Sequence, residues 1–199
     1  MTYDPKADEI LQTRIVAQHE VRRNIQEWIE PIQKELDALF EVKKALRPID
    51  RQQVQQLISE DRAEILPSKM VWTVKPSPTC KAGKKKARLV ACGNFAERSE
   101  ADLFAGGATA VALRAAVSIA SQHSWCGRVC DIRTAFLNAP MKLGANGNLD
   151  MGENGPSKVA IIKPPPLLVM AGLAKPDEYW EVLMALYGYR ESPRLWADH

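Results

Sequence analysis

An α+β fold is what this sequence predicts, on three observations. Apolar residues recur at three- and four-residue steps over residues 8–46 and again over 109–122. Alternating, β-branched runs at 70–75 and 87–92 face each other across a turn. Two further short strand patterns, 159–163 and 179–182, come later and are set apart by helix and loop signals. Helices and strands mixed without a strict βαβ alternation belong to the α+β class.

The first helical stretch carries Val21, Ile25, Trp28, Ile32, Leu36 and Leu39 on one face, with charged residues between them. Pro31 fits as the first residue of a second helix, where its missing N–H is harmless, and Pro48 ends the pattern. Asp50, three residues before Gln53, is placed to cap a short third helix through Ile58. Met70 to Lys75 then reads as a strand. Pro76, Pro78 and Gly83 mark a turn, and Ala87 to Cys92 returns, giving a β-hairpin with a basic tip of Lys81, Lys84, Lys85, Lys86 and Arg88. Thr109 is the N-cap expected for a helix running to Gln122. Arg128 to Ile132 reads as a short buried strand ending in an acid, Asp131. Residues 142–158, rich in glycine and asparagine, read as a loop. Val159 to Lys163 is a strand stopped by Pro164–Pro166, Tyr179 to Val182 another, and Pro193 to His199 begins a helix.

The 199 residues are 46% hydrophobic and 26% charged, which supports a packed core and excludes wholesale disorder. A net charge of +3 does not itself call for nucleic acid; local clusters carry any such signal. The four cysteines, Cys80, Cys92, Cys126 and Cys130, lack a second pair or a nearby histidine to complete a zinc set and read as reduced thiols. There is no signal peptide core and no apolar run of membrane-spanning length, so the expectation is an intracellular protein, cytoplasmic or nuclear, with no membrane partner. A glycine-rich phosphate loop before a lysine, Gly-x-Ser-x-Gly and His-Glu-x-x-His are all missing from the sequence.

Asp131 draws the chemical argument. An acid at the end of a buried strand is costly unless paired, hydrogen-bonded or bound to a metal; a helix N-cap or a salt bridge is the commoner outcome. Its neighbourhood, Asp131-Ile132-Arg133-Thr134-Ala135-Phe136-Leu137-Asn138, resembles the Asp-Val-Lys-Thr-Ala-Phe-Leu-Asn block of copia-type (Pseudoviridae) retrotransposon reverse transcriptases. Upstream, Lys86-Ala87-Arg88-Leu89-Val90-Ala91 followed by Gly93 and Phe95 is similar to that family's Lys-Ala-Arg-Leu-Val-Ala-x-Gly-Phe, with Asn94 as one extra residue. Downstream, Ala185 to Trp196 resembles Ala-Leu-Tyr-Gly-Leu-Lys-Gln-x-Pro-Arg-x-Trp. Trp72 with Lys75, Ile162 to Pro165, and Trp28 with Glu35 and Leu36 keep the same register. The blocks stand in family order over roughly residues 66–197.

The resemblance implies the fingers and partial palm of a right-hand polymerase over residues 66–199, preceded by an N-terminal helical segment, residues 1–65. It implies an RNA-directed DNA polymerase using an RNA template, a DNA primer and dNTPs, with the remaining Pol polyprotein segments as partners. Asp131 would be the first metal-binding carboxylate and the Ile132 carbonyl a further ligand of two Mg2+ ions, hard cations that suit carboxylates and substrate phosphates. Arg133 and Thr134 would lie near the triphosphate, and Phe136 under the sugar as a gate against a 2′-hydroxyl. Lys86 and Arg88 would reach the outer phosphates. Tyr187, Gly188, Arg190 and Pro193 would line the nucleotide and template pocket, and Lys81, Lys84 and Lys85 would contact template phosphates.

The family's other metal carboxylates lie in a later aromatic-x-Asp-Asp hairpin, and no Tyr or Phe followed two residues later by Asp-Asp occurs in this sequence. The expectation is therefore an incomplete polymerase module, inactive alone. Two other classes stay open beside it: a non-catalytic nucleic-acid-binding remnant using the 81–88 cluster, and an interaction protein built on the helices of residues 8–58.

Overall fold

The strand anticipated from Met70 begins earlier, at Ala63, and this longer strand organises the molecule. The computed structural model describes residues 12–77, 83–96, 106–141 and 158–199. Strand β3, Ala63–Lys75, buries Leu66, Ser68, Met70 and Trp72 at every second position, as the pleat requires. Its first half pairs in parallel with β5, Val159–Lys163, and its second half pairs antiparallel with β4, Lys84–Ala91. The change of partner falls at Pro67 and Ser68. Proline has no N–H to give to a ladder, so it suits the point where one ladder ends. The Pro67 carbonyl is used by the Cys92 N–H at 2.9 Å, and the buried Ser68 hydroxyl donates to the Lys163 carbonyl.

The N-terminal segment is not the run of helices expected over 8–46. It opens with β1, Arg14–Val16, paired antiparallel with β3. Helix α1, Gln18–Arg23, a 3-10 turn at Ile25–Trp28 and helix α2, Ile29–Asp37, follow, and a π-type turn at Ala38–Val42 closes the helical stretch. The predicted apolar face does turn inward: Val21, Trp28, Ile32 and Leu39 are fully buried. Pro31 is the third residue of α2, not its first as expected, but it still lies in the first turn, where backbone N–H groups have no helical acceptor. The chain then enters β2, Leu46–Ile49, which runs through Pro48 and pairs antiparallel with β6, Tyr179–Val182. Pro48 is tolerated because β2 is the last strand in the order β1-β3-β5-β6-β2, with β4 also on β3. Strands from the first 65 residues thus share one sheet with later ones, and β3 itself crosses positions 65 and 66.

Helix α3, Arg51–Ser59, is capped as expected, with Asp50 Oδ1 accepting from the Gln52 N–H at 2.8 Å. Helix α4, Ala110–Gln122, forms with the Thr109 hydroxyl accepting from the Ala112 N–H at 3.1 Å, but it buries no side chain. The strand expected over Arg128–Ile132 is not formed. Residues 128–132 are exposed and have no ladder partner among the described residues. Helix α5, Pro166–Met170, follows the proline stop after β5, and helix α6, Ser192–Asp198, follows the turn at Gly188. Two aromatic pairs brace the core edge-on: Trp28 on Trp72 at 5.2 Å between ring centres, and Phe40 on Trp180 at 5.1 Å. The α+β class is the observed one. Most of the expected 142–158 loop lies outside the described residues. Among the described residues, no helix is long and apolar enough to cross a membrane.

Candidate functional site

Strand β4 carries the first matching block, and what happens at its outer edge builds the site. Antiparallel pairing with β3 leaves every second N–H of β4 pointing away from the ladder. Two of those amides, and one just past the end of β4, are paired. Glu35 Oε1, from α2, accepts the Leu89 N–H at 3.1 Å. The Tyr187 carbonyl accepts the Ala91 N–H at 2.8 Å, and the Gly188 carbonyl accepts the Gly93 N–H at 3.1 Å. The downstream block therefore continues the sheet edge like a short added strand.

This close approach explains two glycines. A side chain on Gly93 would collide with the Gly188 carbonyl, and one on Gly188 would collide with the Ala91 carbonyl. Gly188 also has φ near +80°, a left-handed conformation open to glycine at little cost. Below the turn, the buried Ser192 hydroxyl donates to the Leu186 carbonyl at 2.6 Å. The half-buried Tyr189 hydroxyl donates to Glu64 at 3.0 Å, and burial together with the Glu64 charge pushes the Tyr189 phenol well above its usual range.

Tyr187 is where the three blocks meet. The Arg88 guanidinium sits over its ring at 4.4 Å, and the Phe136 ring lies 5.7 Å from it. Burial raises the Tyr187 phenol above its ordinary value, against the pull of Arg88. The Phe136 end of its block is well anchored. Leu137, Ala139 and Met141 are buried, Pro140 bridges to Met184, and Lys43 donates to Asn138 Oδ1 at 2.6 Å. Thr134 enters this 3-10 turn, Ala135–Asn138, with φ near +52° and its hydroxyl on the Arg133 carbonyl.

The start of the same block is different. Asp131, Ile132 and Arg133 are exposed, and Asp131 is not held at a strand end. Among the described residues, no three His, Cys, Asp or Glu side chains gather where a metal ion could bind. Asp131 by itself does not make a two-magnesium centre, and the described residues supply no group of three such ligands around it. Arg190 is exposed beside Gly93, and Pro193 is half-buried in α6.

The lysines divide into two groups. Lys85 turns toward the 3-10 turn that precedes α2, where it pairs with Glu27 and lies over the Trp28 ring at 5.7 Å. Lys84 and Lys86 point to the other face of β4, with Arg88. The Lys86 ammonium is lowered from its usual value, by burial first and then by Arg88, with Lys75 and Lys84 adding to it. Glu35 is pushed up by burial, against its bond to Leu89 and the charges of Arg88 and Lys86. Lys81 lies outside the described residues. Glu35 and Lys75 entered the sequence reading as minor matches of register, not as site residues, and Lys34 did not enter it.

No family model, no curated protein and no solved structure matches this chain.

Proposed function

We propose that the chain supplies the fingers and first part of the palm of a copia-type RNA-directed DNA polymerase. Its substrates would be template RNA, primer DNA and deoxynucleoside triphosphates, and its partners other segments of a Pol polyprotein. One observation carries this reading. Residues from three sequence-distant blocks that resemble that family, Arg88, Phe136 and Tyr187, converge on one aromatic ring. Arg88 is a planar, permanently charged fork held in place by its stacking on Tyr187, which suits the outer phosphates of a nucleotide. Phe136 beside it offers an apolar surface to a sugar. Lys86, on the same face of β4, adds a point charge.

The magnesium chemistry of the proposal needs two carboxylates besides Asp131, and these would come from a further segment of the polyprotein. A titration of this chain with dATP, followed by tryptophan fluorescence, tests the nucleotide part. Arg88→Ala should weaken binding by about tenfold, the worth of one charge-assisted hydrogen bond. Unchanged affinity would remove Arg88 from the site. In a polyprotein carrying the Asp-Asp hairpin, Asp131→Asn should abolish magnesium-dependent primer extension and spare primer–template binding; retained extension rejects the metal assignment.

A second reading, a non-catalytic nucleic-acid-binding remnant, is favoured by the exposed position of Asp131, with no metal-binding group of His, Cys, Asp or Glu among the described residues. It predicts salt-sensitive oligonucleotide binding and no extension in any longer form of the protein.

A further inference from the structure

We infer that the outer edge of β4 at Lys85 and Ala87 takes an added strand: an extended peptide of another protein, with an acidic residue between two small apolar ones. Two backbone positions left open point to it. Leu89 and Ala91 turn their N–H groups away from β3, to Glu35 and to the Tyr187 carbonyl. Residues two apart on a strand share that orientation, so the N–H and C=O groups of Lys85 and Ala87 also point outward. Among the described residues, these backbone groups have no hydrogen-bond partner. Ala87 is nevertheless only 2% exposed. An unpaired backbone amide at a buried position costs about as much as a lost hydrogen bond, and nearly all such groups in folded proteins are paired.

Space for the partner lies beside these two residues. A cavity of about 400 Å³, the size of a ligand pocket, is lined by Lys85 and Ala87 on one side and by Pro31, Glu35 and Ala38 on the other. Farther along, the same edge already accepts a strand, since the segment at Tyr187 and Gly188 pairs with Ala91 and Gly93. Glu35 holds the Leu89 amide between the two stretches, so the added strand would end there. In antiparallel pairing, one peptide residue would exchange both its backbone bonds with Lys85, and the residue two along would do the same with Ala87.

The side chains select the partner. Residues opposite Lys85 and Ala87 would face α2, beside Pro31 and Ala38, which suits small apolar side chains. The residue between them would stand opposite Lys86, whose side chain is exposed on the other face of β4. Unlike charges at opposed positions stabilise a strand pair and like charges destabilise it, so an acid belongs there. A second copy of the chain is a poor fit. Its β4 would set Lys84, Lys85 and Lys86 against the same lysines, the usual protection of an edge against its own kind. The terminal strands β1 and β2 would bring Arg14, or Arg47 with Pro48, and no acid. The polymerase reading gives the backbone of Lys85 and Ala87 no role, so the inference stands without it.

The test is titration of the whole chain, followed by amide-resolved NMR, with the synthetic peptide acetyl-Thr-Thr-Val-Glu-Val-Thr-Thr-amide. Saturable shifts are expected, with exchange of the Lys85 and Ala87 amides slowed at least about tenfold at saturation. Methylating the backbone nitrogens of both valines removes the donors that face β4 and should weaken binding at least about tenfold. Methylating the nitrogen of the central Glu, which points away, should leave the affinity within about twofold. The chain's own fold is untouched in both cases. A peptide with Lys in place of Glu should bind several-fold more weakly, and Lys86→Glu should reverse that preference, a gain that misfolding cannot mimic. The inference is overturned if no saturable binding occurs, if binding leaves the Lys85 and Ala87 amides unprotected, or if the two methylated peptides lose affinity equally. It is also overturned if the two amides become protected with rising protein concentration in the absence of peptide, which would assign the edge to a second copy. Equal affinity for the Glu and Lys peptides would overturn the choice of an acidic partner.

Discussion

Gly188 shows how a single residue governs the meeting of two distant segments. It supplies both a left-handed backbone and the space for the Ala91 carbonyl. Gly188→Ala should therefore destabilise the fold by at least about 2 kcal/mol, the sum of backbone strain and overpacking, as read by urea denaturation. A loss under about 0.5 kcal/mol, the scale of a neutral surface change, would mean the turn is not held against β4. Glu35 makes a different prediction. Its folded pKa is raised above the ordinary value of 4.5, so the native state binds that proton more tightly than the unfolded chain. Its contribution is then most favourable below the ordinary carboxylate range and is lost as pH rises through the raised folded value. Glu35→Gln keeps the bond to Leu89 without a charge to bury. The variant should melt higher than wild type at pH 7, and the difference should shrink as pH falls toward 4.5. A variant that melts lower at pH 7 would show that Arg88 and Lys86 outweigh burial.

At the scale of elements, α4 stands out. Its capping and composition make a helix locally, yet Val111, Leu113, Val117 and Ile119 are all exposed, as are Trp125, Val129 and Ile132 after it. An apolar surface of this extent favours self-association. Leu113→Lys with Val117→Lys should leave the thermal midpoint unchanged, because surface changes stay within about 0.5 kcal/mol. It should also reduce aggregation measured by light scattering during size-exclusion chromatography. A marked drop in the midpoint would show that the α4 face is packed in solution. The failure of the 128–132 strand has the same physical root. β-propensity describes how a side chain fits a pleated, half-buried surface, and without a neighbouring strand it has nothing to act on.

For the whole molecule, the important fact is that residues 12–60 are woven into the sheet. β1 flanks β3, β2 flanks β6, and α2 closes the outer edge of β4 through Glu35. Trp28, Ile32 and Leu39 sit in the same core as Trp72 and Leu89. Deleting residues 1–59 should therefore abolish the cooperative thermal transition seen by circular dichroism. A fragment 60–199 that melts cooperatively would establish the N-terminal segment as an appendage, as a separate interaction module requires.

Much was legible from local pattern. The inward face of Val21, Trp28, Ile32 and Leu39, the hairpin of β3 and β4, the caps at Asp50 and Thr109, and the strands at 159–163 and 179–182 all follow from periodicity and turn chemistry. These act over a few residues and leave their mark in any window of the sequence. The three blocks were readable one at a time. Their meeting at Tyr187 was not, because the separation in sequence between Arg88, Phe136 and Tyr187 says nothing of distance in space. The partner of each β3 half, the strand through Pro48 and the solvent exposure of Asp131 were likewise decided by the tertiary fold. So was the cavity beside β4: Lys34 belongs to one helix, Lys75 and Lys84 to facing strands, and only the packing of α2 against the edge of β4 brings them to one concave surface.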